Sequence, residues 1–77
     1  MKIQYETQEF ESENIRKMFM NKNIFVIIDA VNVPELPKNG VLKIVENGTI
    51  LEELNVMLLN QELDYVNKKT FLTFQYY

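Results

Sequence analysis

Residues 47–63 read Asn47-Gly48-Thr49-Ile50-Leu51-Glu52-Glu53-Leu54-Asn55-Val56-Met57-Leu58-Leu59-Asn60-Gln61-Glu62-Leu63, and the fold class turns on them. Two local codes overlap here. In the first, Asn47-Gly48 is a type I′ turn between two strands, 41–46 and 49–54, which places Lys43 opposite Glu52 as a favourable cross-strand pair. In the second, Thr49 is a helix N-cap and Glu52 the reciprocal partner three residues on, a capping box. Leu51, Leu54 and Leu58 then form one stripe, built from good helix formers. Val56, Leu59 and Leu63 fall off that stripe, and Asn55 and Asn60 interrupt it.

Working outward, Val41–Glu46 reads as a strand, and Pro34, Pro37 and Asn39-Gly40 mark a turn region before it. The run Ile24-Phe25-Val26-Ile27-Ile28 is the strongest strand signal in the chain. It is β-branched and aromatic, apolar on both faces, and therefore reads as central. Its alternation extends through Asp29 to Val33. Before it, Ser12 as N-cap, Glu13 in the first turn, and Ile15, Met18, Phe19 and Lys22 at helical spacing predict a short helix over 13–22. Residues 2–8 alternate, with Ile3, Tyr5 and Thr7 on one face, as in a half-buried strand. At the C-terminal end, Asp64–Val66 and Thr70–Tyr77 read as a hairpin about a three-residue turn, Asn67-Lys68-Lys69. Leu72, Phe74 and Tyr76 then face the core, while Phe71, Thr73, Gln75 and Tyr77 lie on a face that could meet a partner.

These elements predict a single compact α+β domain over residues 1–77: a small, mostly antiparallel sheet of about four to five strands, with one or two helices on one face. Seventy-seven residues leave room for one domain only. Cys and His are absent and Ser12 is the only serine. No disulfide, Cys/His zinc site, His general base or thiol nucleophile can exist. Two glycines cannot build a phosphate-cradling loop, and none of the nucleotide-binding or nucleophile-elbow motifs is present. The expectation is a non-catalytic protein without a cofactor. Eleven acids against eight bases give a net charge of −3, which disfavours nucleic acid as a partner. The longest apolar run, Ile24–Ile28, is far short of the roughly 20 residues a membrane helix needs. With no signal-like start, a soluble cytoplasmic protein is expected. Nine asparagines and a single alanine, Ala30, suit an AT-rich genome such as that of a bacterium or its phage.

Four constellations are candidates for function. Asp29 closes an apolar strand, where functional acids of open sheets sit. Glu6, Glu9, Glu11 and Glu13 offer oxygen ligands for a hard cation, but without a calcium-loop pattern they read as a solvated face. Pro34-Glu35-Leu36-Pro37-Lys38 fits a short proline-rich docking motif, or equally a rigid connection. Tyr65, Lys68, Lys69, Phe71, Tyr76 and Tyr77 combine rings and ammonium groups, suited to a protein interface or to stacking on a nucleotide. The leading functional expectation is a small accessory protein, of the kind phages and mobile elements encode, that inhibits or regulates a cellular host protein by stoichiometric binding. One alternative is a homo-oligomer that sequesters a nucleotide-type signal, using Arg16, Lys17, Lys68, Lys69 and the tyrosines. Another is an assembly subunit that pairs through edge strands 2–8 and 70–77. Self-association also follows from size, since so short a chain cannot cover all its apolar residues.

Overall fold

A computed structural model describes all 77 residues. The chain is all-β. Its six strands are β1 (Lys2–Tyr5), β2 (Gln8–Met18), β3 (Asn23–Ile28), β4 (Asn39–Glu46), β5 (Thr49–Asp64) and β6 (Lys69–Tyr76). All pairings are antiparallel, and the order β1-β2-β3-β6-β5-β4 closes on itself where β1 meets β4. The expected α+β class is therefore wrong: the helix expected over 13–22 is absent, and of the two codes at 47–63 the helical one is not used.

The segment that decided the fold class takes the hairpin code. Asn47 and Gly48 both have positive φ, 52° and 78°, as a type I′ turn demands. The strand after it runs for 16 residues. Its first part pairs with β4 and its second part with β6. Ladder bonds and burial of Val56 on this continuous strand outweigh the modest helix propensity of Leu, Glu, Met and Gln. The same competition removes the helix at 13–22. Ile15 and Lys17 face the interior opposite Val26 and Ile24, so β2 is a strand as far as Met18. Ser12 is no N-cap: its hydroxyl donates to the Asn14 carbonyl at 3.2 Å, across a bulge at Glu13.

At about 3.3 Å per residue, β5 would be roughly 53 Å long if straight. The molecule measures only 32 × 28 × 21 Å, so β5 must bend. Bulges at Leu51 and Leu59 allow this, and the one in β2 does the same there. The two long strands thus turn the corners between two layers, β2-β3-β6-β5 and β5-β4-β1-β2. The Leu51 bulge also shifts the hairpin register. Lys43 faces Glu53, at 3.6 Å, where simple counting places it opposite Glu52.

Between the layers lie Ile3, Tyr5, Ile24, Val26, Ile28, Leu42, Ile44, Val56, Leu72 and Phe74, all buried. The rings of Tyr5 and Phe74 meet at 5.0 Å between centroids. β3 stops at Ile28, so the alternation does not continue through Val33; residues 29–38 are a crossover to β4. That crossover buries Val33 and Leu36 against the core. The Tyr5 hydroxyl donates to the Pro37 carbonyl at 2.6 Å, and Thr70 donates to the Ala30 carbonyl at 2.6 Å. Gln61 donates to Pro34 and accepts from the Leu36 amide. The two prolines thus belong to a rigid connection whose carbonyls are used internally. Where β4 begins, the Glu6 carboxylate accepts the Val41 amide at 3.0 Å and lies where a side chain at position 40 would go, which explains Gly40.

Strands 2–8 and 70–77 are not edges. The first is β1 plus a turn at Glu6-Thr7, and β1 and β6 each have a neighbour on both sides. The terminal turn spans Tyr65–Lys68 and not 67–69, because β5 continues to Asp64 and β6 begins at Lys69.

Burial pushes the Tyr5 phenol above its usual 10.0, aided by the nearby negative charge of Glu6. A raised phenol pKa gives stability that is complete below pH 10.0 and lost as pH rises through the folded value. Tyr5→Phe keeps the ring but leaves the Pro37 carbonyl without its donor, at an expected cost of about 1–2 kcal/mol by urea unfolding at pH 7. The gap between the two proteins should narrow above pH 10.0. A constant gap would mean that the phenol proton is not held by the fold.

Candidate functional site

In a closed barrel each strand buries one face only. β3 is apolar on both. Ile24, Val26 and Ile28 point inward and are buried, so Phe25 and Ile27 must point out. Directly opposed residues share a face, which makes the outer surface readable from the register. One row runs Arg16, Phe25, Thr73, Asn60; the next runs Asn14, Ile27, Phe71, Glu62. Met18, beside Asn23, extends the surface towards the β2–β3 turn. Phe25 is 38% and Met18 39% exposed, and Ile27 and Phe71 are half-buried. Asn14, Arg16, Met18, Phe25, Ile27 and Phe71 line a cleft of about 310 Å³ on this surface. Arg16 on one flank and Glu62 on the other are both exposed, and neither takes part in any ion pair of the chain.

A second feature closes the core at the start of β3. Lys17 points inward and its Nζ lies 2.5 Å from Glu52 Oε1. The same ammonium sits over the rings of Tyr76, at 5.0 Å, and Phe19, at 5.3 Å. The inward turn of Glu52 follows from the Leu51 bulge, which puts it opposite Ile44. The arrangement plugs the end of the barrel with a paired charge and leaves no unpartnered group to bind or react.

The predicted site residues do not form one site. Tyr65 and Lys68 belong to the turn before β6, while Tyr76 and Tyr77 lie at its other end, about 25 Å away at ~3.3 Å per residue. Tyr76 packs against the core and over Lys17. Tyr77 is exposed and its hydroxyl meets Asn39 Oδ1 at 3.2 Å. Lys68 and Lys69 are thus held apart from Tyr76 and Tyr77, while Lys17 meets Tyr76 within the ion pair that plugs the barrel. Asp29 stands just past the end of β3 with its side chain 70% exposed, where it pairs with Lys69 at 3.4 Å. Lys69 also binds Glu13, whose carboxylate holds the lysine above its usual pKa, helped by Asp29. Glu6, Glu9 and Glu13 are each engaged elsewhere, with the Val41 amide, Lys2 and Lys69. No three acidic side chains gather as a metal site.

Of the predicted residues, Phe71 alone joins the apolar outer face. Phe25, Ile27, Met18 and Glu62 were not singled out as site residues, and Arg16 only as a cation for a nucleotide-type ligand. The signal for them was the two-sided apolarity of 24–28, which in a sheet covered by helices would denote burial on both sides.

No protein-family model matches the chain, and neither a curated protein nor a solved structure is significantly similar to it.

Asp64 organises the turn that carries Tyr65 and Val66. It accepts from the side chain of Asn67 at 2.8 Å and from the amides of Val66 and Asn67, and these bonds lower its pKa below 3.8. A depressed carboxyl pKa contributes order above the ordinary value and loses it as pH falls through the folded one. The amide resonances of Val66 and Asn67 should therefore titrate together, with a midpoint below 3.8. A midpoint at or above that value would show that the turn does not hold the carboxylate.

Proposed function

We propose that this chain is a small non-catalytic binding protein that inhibits or regulates a cellular protein by stoichiometric association, as accessory proteins of phages and mobile elements do. The observation that carries this reading is the outer face of β2, β3 and β6. Phe25, Ile27, Phe71 and Met18 form a contiguous apolar surface on a folded barrel whose core is already complete without them. Aromatic residues and arginine at the centre and flank of such a surface are the groups that dominate binding energy at protein interfaces. The residue inventory favours binding over chemistry: no Cys, no His, and one serine, already bonded to its own strand.

The double variant Phe25→Ser/Phe71→Ser tests this. Both side chains point away from the core, so far-UV dichroism and the melting transition should be little changed. Capture from a bacterial lysate should recover a partner at equal stoichiometry with the natural chain and lose it with the variant. Truncating a central anchor costs on the order of 2 kcal/mol, about 30-fold in affinity. Val41→Ser, on the outer face of β4, is the matched control and should retain the partner. Equal recovery by the double variant would place the binding surface elsewhere.

A further inference from the structure

We propose that the outer face of β2, β3 and β6 closes on a second copy of this chain, so that the free protein is a two-fold dimer that masks its own binding face. This rests on the reading above that this face is where the chain associates, and it names the regulation of that surface. The argument is self-complementarity. In a face-to-face pair related by a two-fold axis parallel to the strands, and passing between β3 and β6, β3 of one copy lies over β6 of the other and β2 over β5.

The rows of the outer face then meet in a definite way. Ile27 falls over Phe71 of the partner subunit, and Phe71 falls over Ile27 of the partner subunit. Phe25 falls over Thr73 of the partner subunit, a large side chain against a small one, as close packing of two sheets requires. On the flanks, Arg16 comes down over Asn60 on β5 of the other copy, and Glu62 stands one row further along that strand, ~7 Å away and within the span of the long arginine side chain. The two charges are about 16 Å apart on a single copy, three strand steps of ~4.8 Å across and two residues along, too far to pair with each other. In the dimer each finds the opposite charge, twice over. Arg16 takes part in no ion pair within the chain and is the cation that stands on this outer face. The face is only four strands wide, about 14 Å between its outer strand axes at ~4.8 Å per step, so the dimer is concentration-dependent and a better-fitting partner can displace it.

Sedimentation velocity across about 1 µM to 1 mM, the range suited to an interface of this size, reads the monomer–dimer equilibrium directly. The natural chain should dimerise. Arg16→Glu and Glu62→Arg should each weaken the dimer by about tenfold or more, and the exchange Arg16→Glu/Glu62→Arg should restore it to within about threefold. Both positions are solvent-exposed, and thermal melting checks that each variant folds. A natural chain that is monomeric across the whole range overturns the proposal. So does a dimer indifferent to the single reversals, or one that the exchange fails to rescue. These outcomes are separable from failure of the binding reading. A monomer that still loses its lysate partner on Phe25→Ser/Phe71→Ser overturns the dimer and leaves the binding face. A dimer rescued by charge exchange, with partner capture insensitive to that double change, supports the pairing and moves the partner to another surface.

Discussion

Ile3 facing Ile44 and Tyr5 facing Leu42 form the short ladder by which β1 meets β4, and that ladder turns six strands into a ring. Closure imposes a constraint that runs through the rest of the molecule: every strand has one inner face and one outer face, and only the inner one is covered. It also removes the open edges at β1 and β6 through which a sheet would recruit another strand. Association must then use a face. Apolar residues left outside by closure occur on β5 and in the turns as well, but on β3 and β6 Phe25, Ile27 and Phe71 are direct neighbours across the ladder.

The ends of the ring are sealed by different chemistry. The crossover at 29–38 supplies apolar side chains, Val33 and Leu36, and its carbonyls are anchored by Tyr5, Gln61 and Thr70. At the start of β3 the seal is Lys17, held between Glu52 and two rings. A paired and ring-shielded ammonium can sit half-buried there, whereas an unpaired one would bear the full desolvation cost. These plugs let a 77-residue chain keep a core with no disulfide or metal.

Much of the local structure was legible from the letters. The Asn47-Gly48 turn, the strands at 24–28, 41–46 and 70–77, and the inward set Leu72 and Phe74 all follow from turn chemistry and period-2 patterning, which depend on neighbours in sequence. The errors have physical causes. Ser12 and Thr49 resemble helix caps because Ser and Thr hydroxyls can bond local backbone groups in strands and turns as well as in helices, as Ser12 does here. Lys43 was placed opposite Glu52 because a bulge at Leu51 leaves no mark in a short run of apolar and acidic residues. Asp29, Lys69 and Glu13 could not be joined by inspection, since they lie on three different strands or their ends and meet through the register of the whole sheet.

The sequence by itself determined one domain, its strand-rich segments, the absence of Cys and His, and the fact that residues 24–28 are apolar on both sides. Those properties are set by composition and by spacing along the chain. Tertiary structure alone decided that the sheet closes, that β2 and β5 bend to serve two layers, and that Phe25 and Ile27 lie outside. The reason is that a side chain's burial depends on what covers its face. An apolar strand covered on both sides and an apolar strand in a barrel wall have the same letters; closure between β1 and β4 is what leaves one side of this strand facing out.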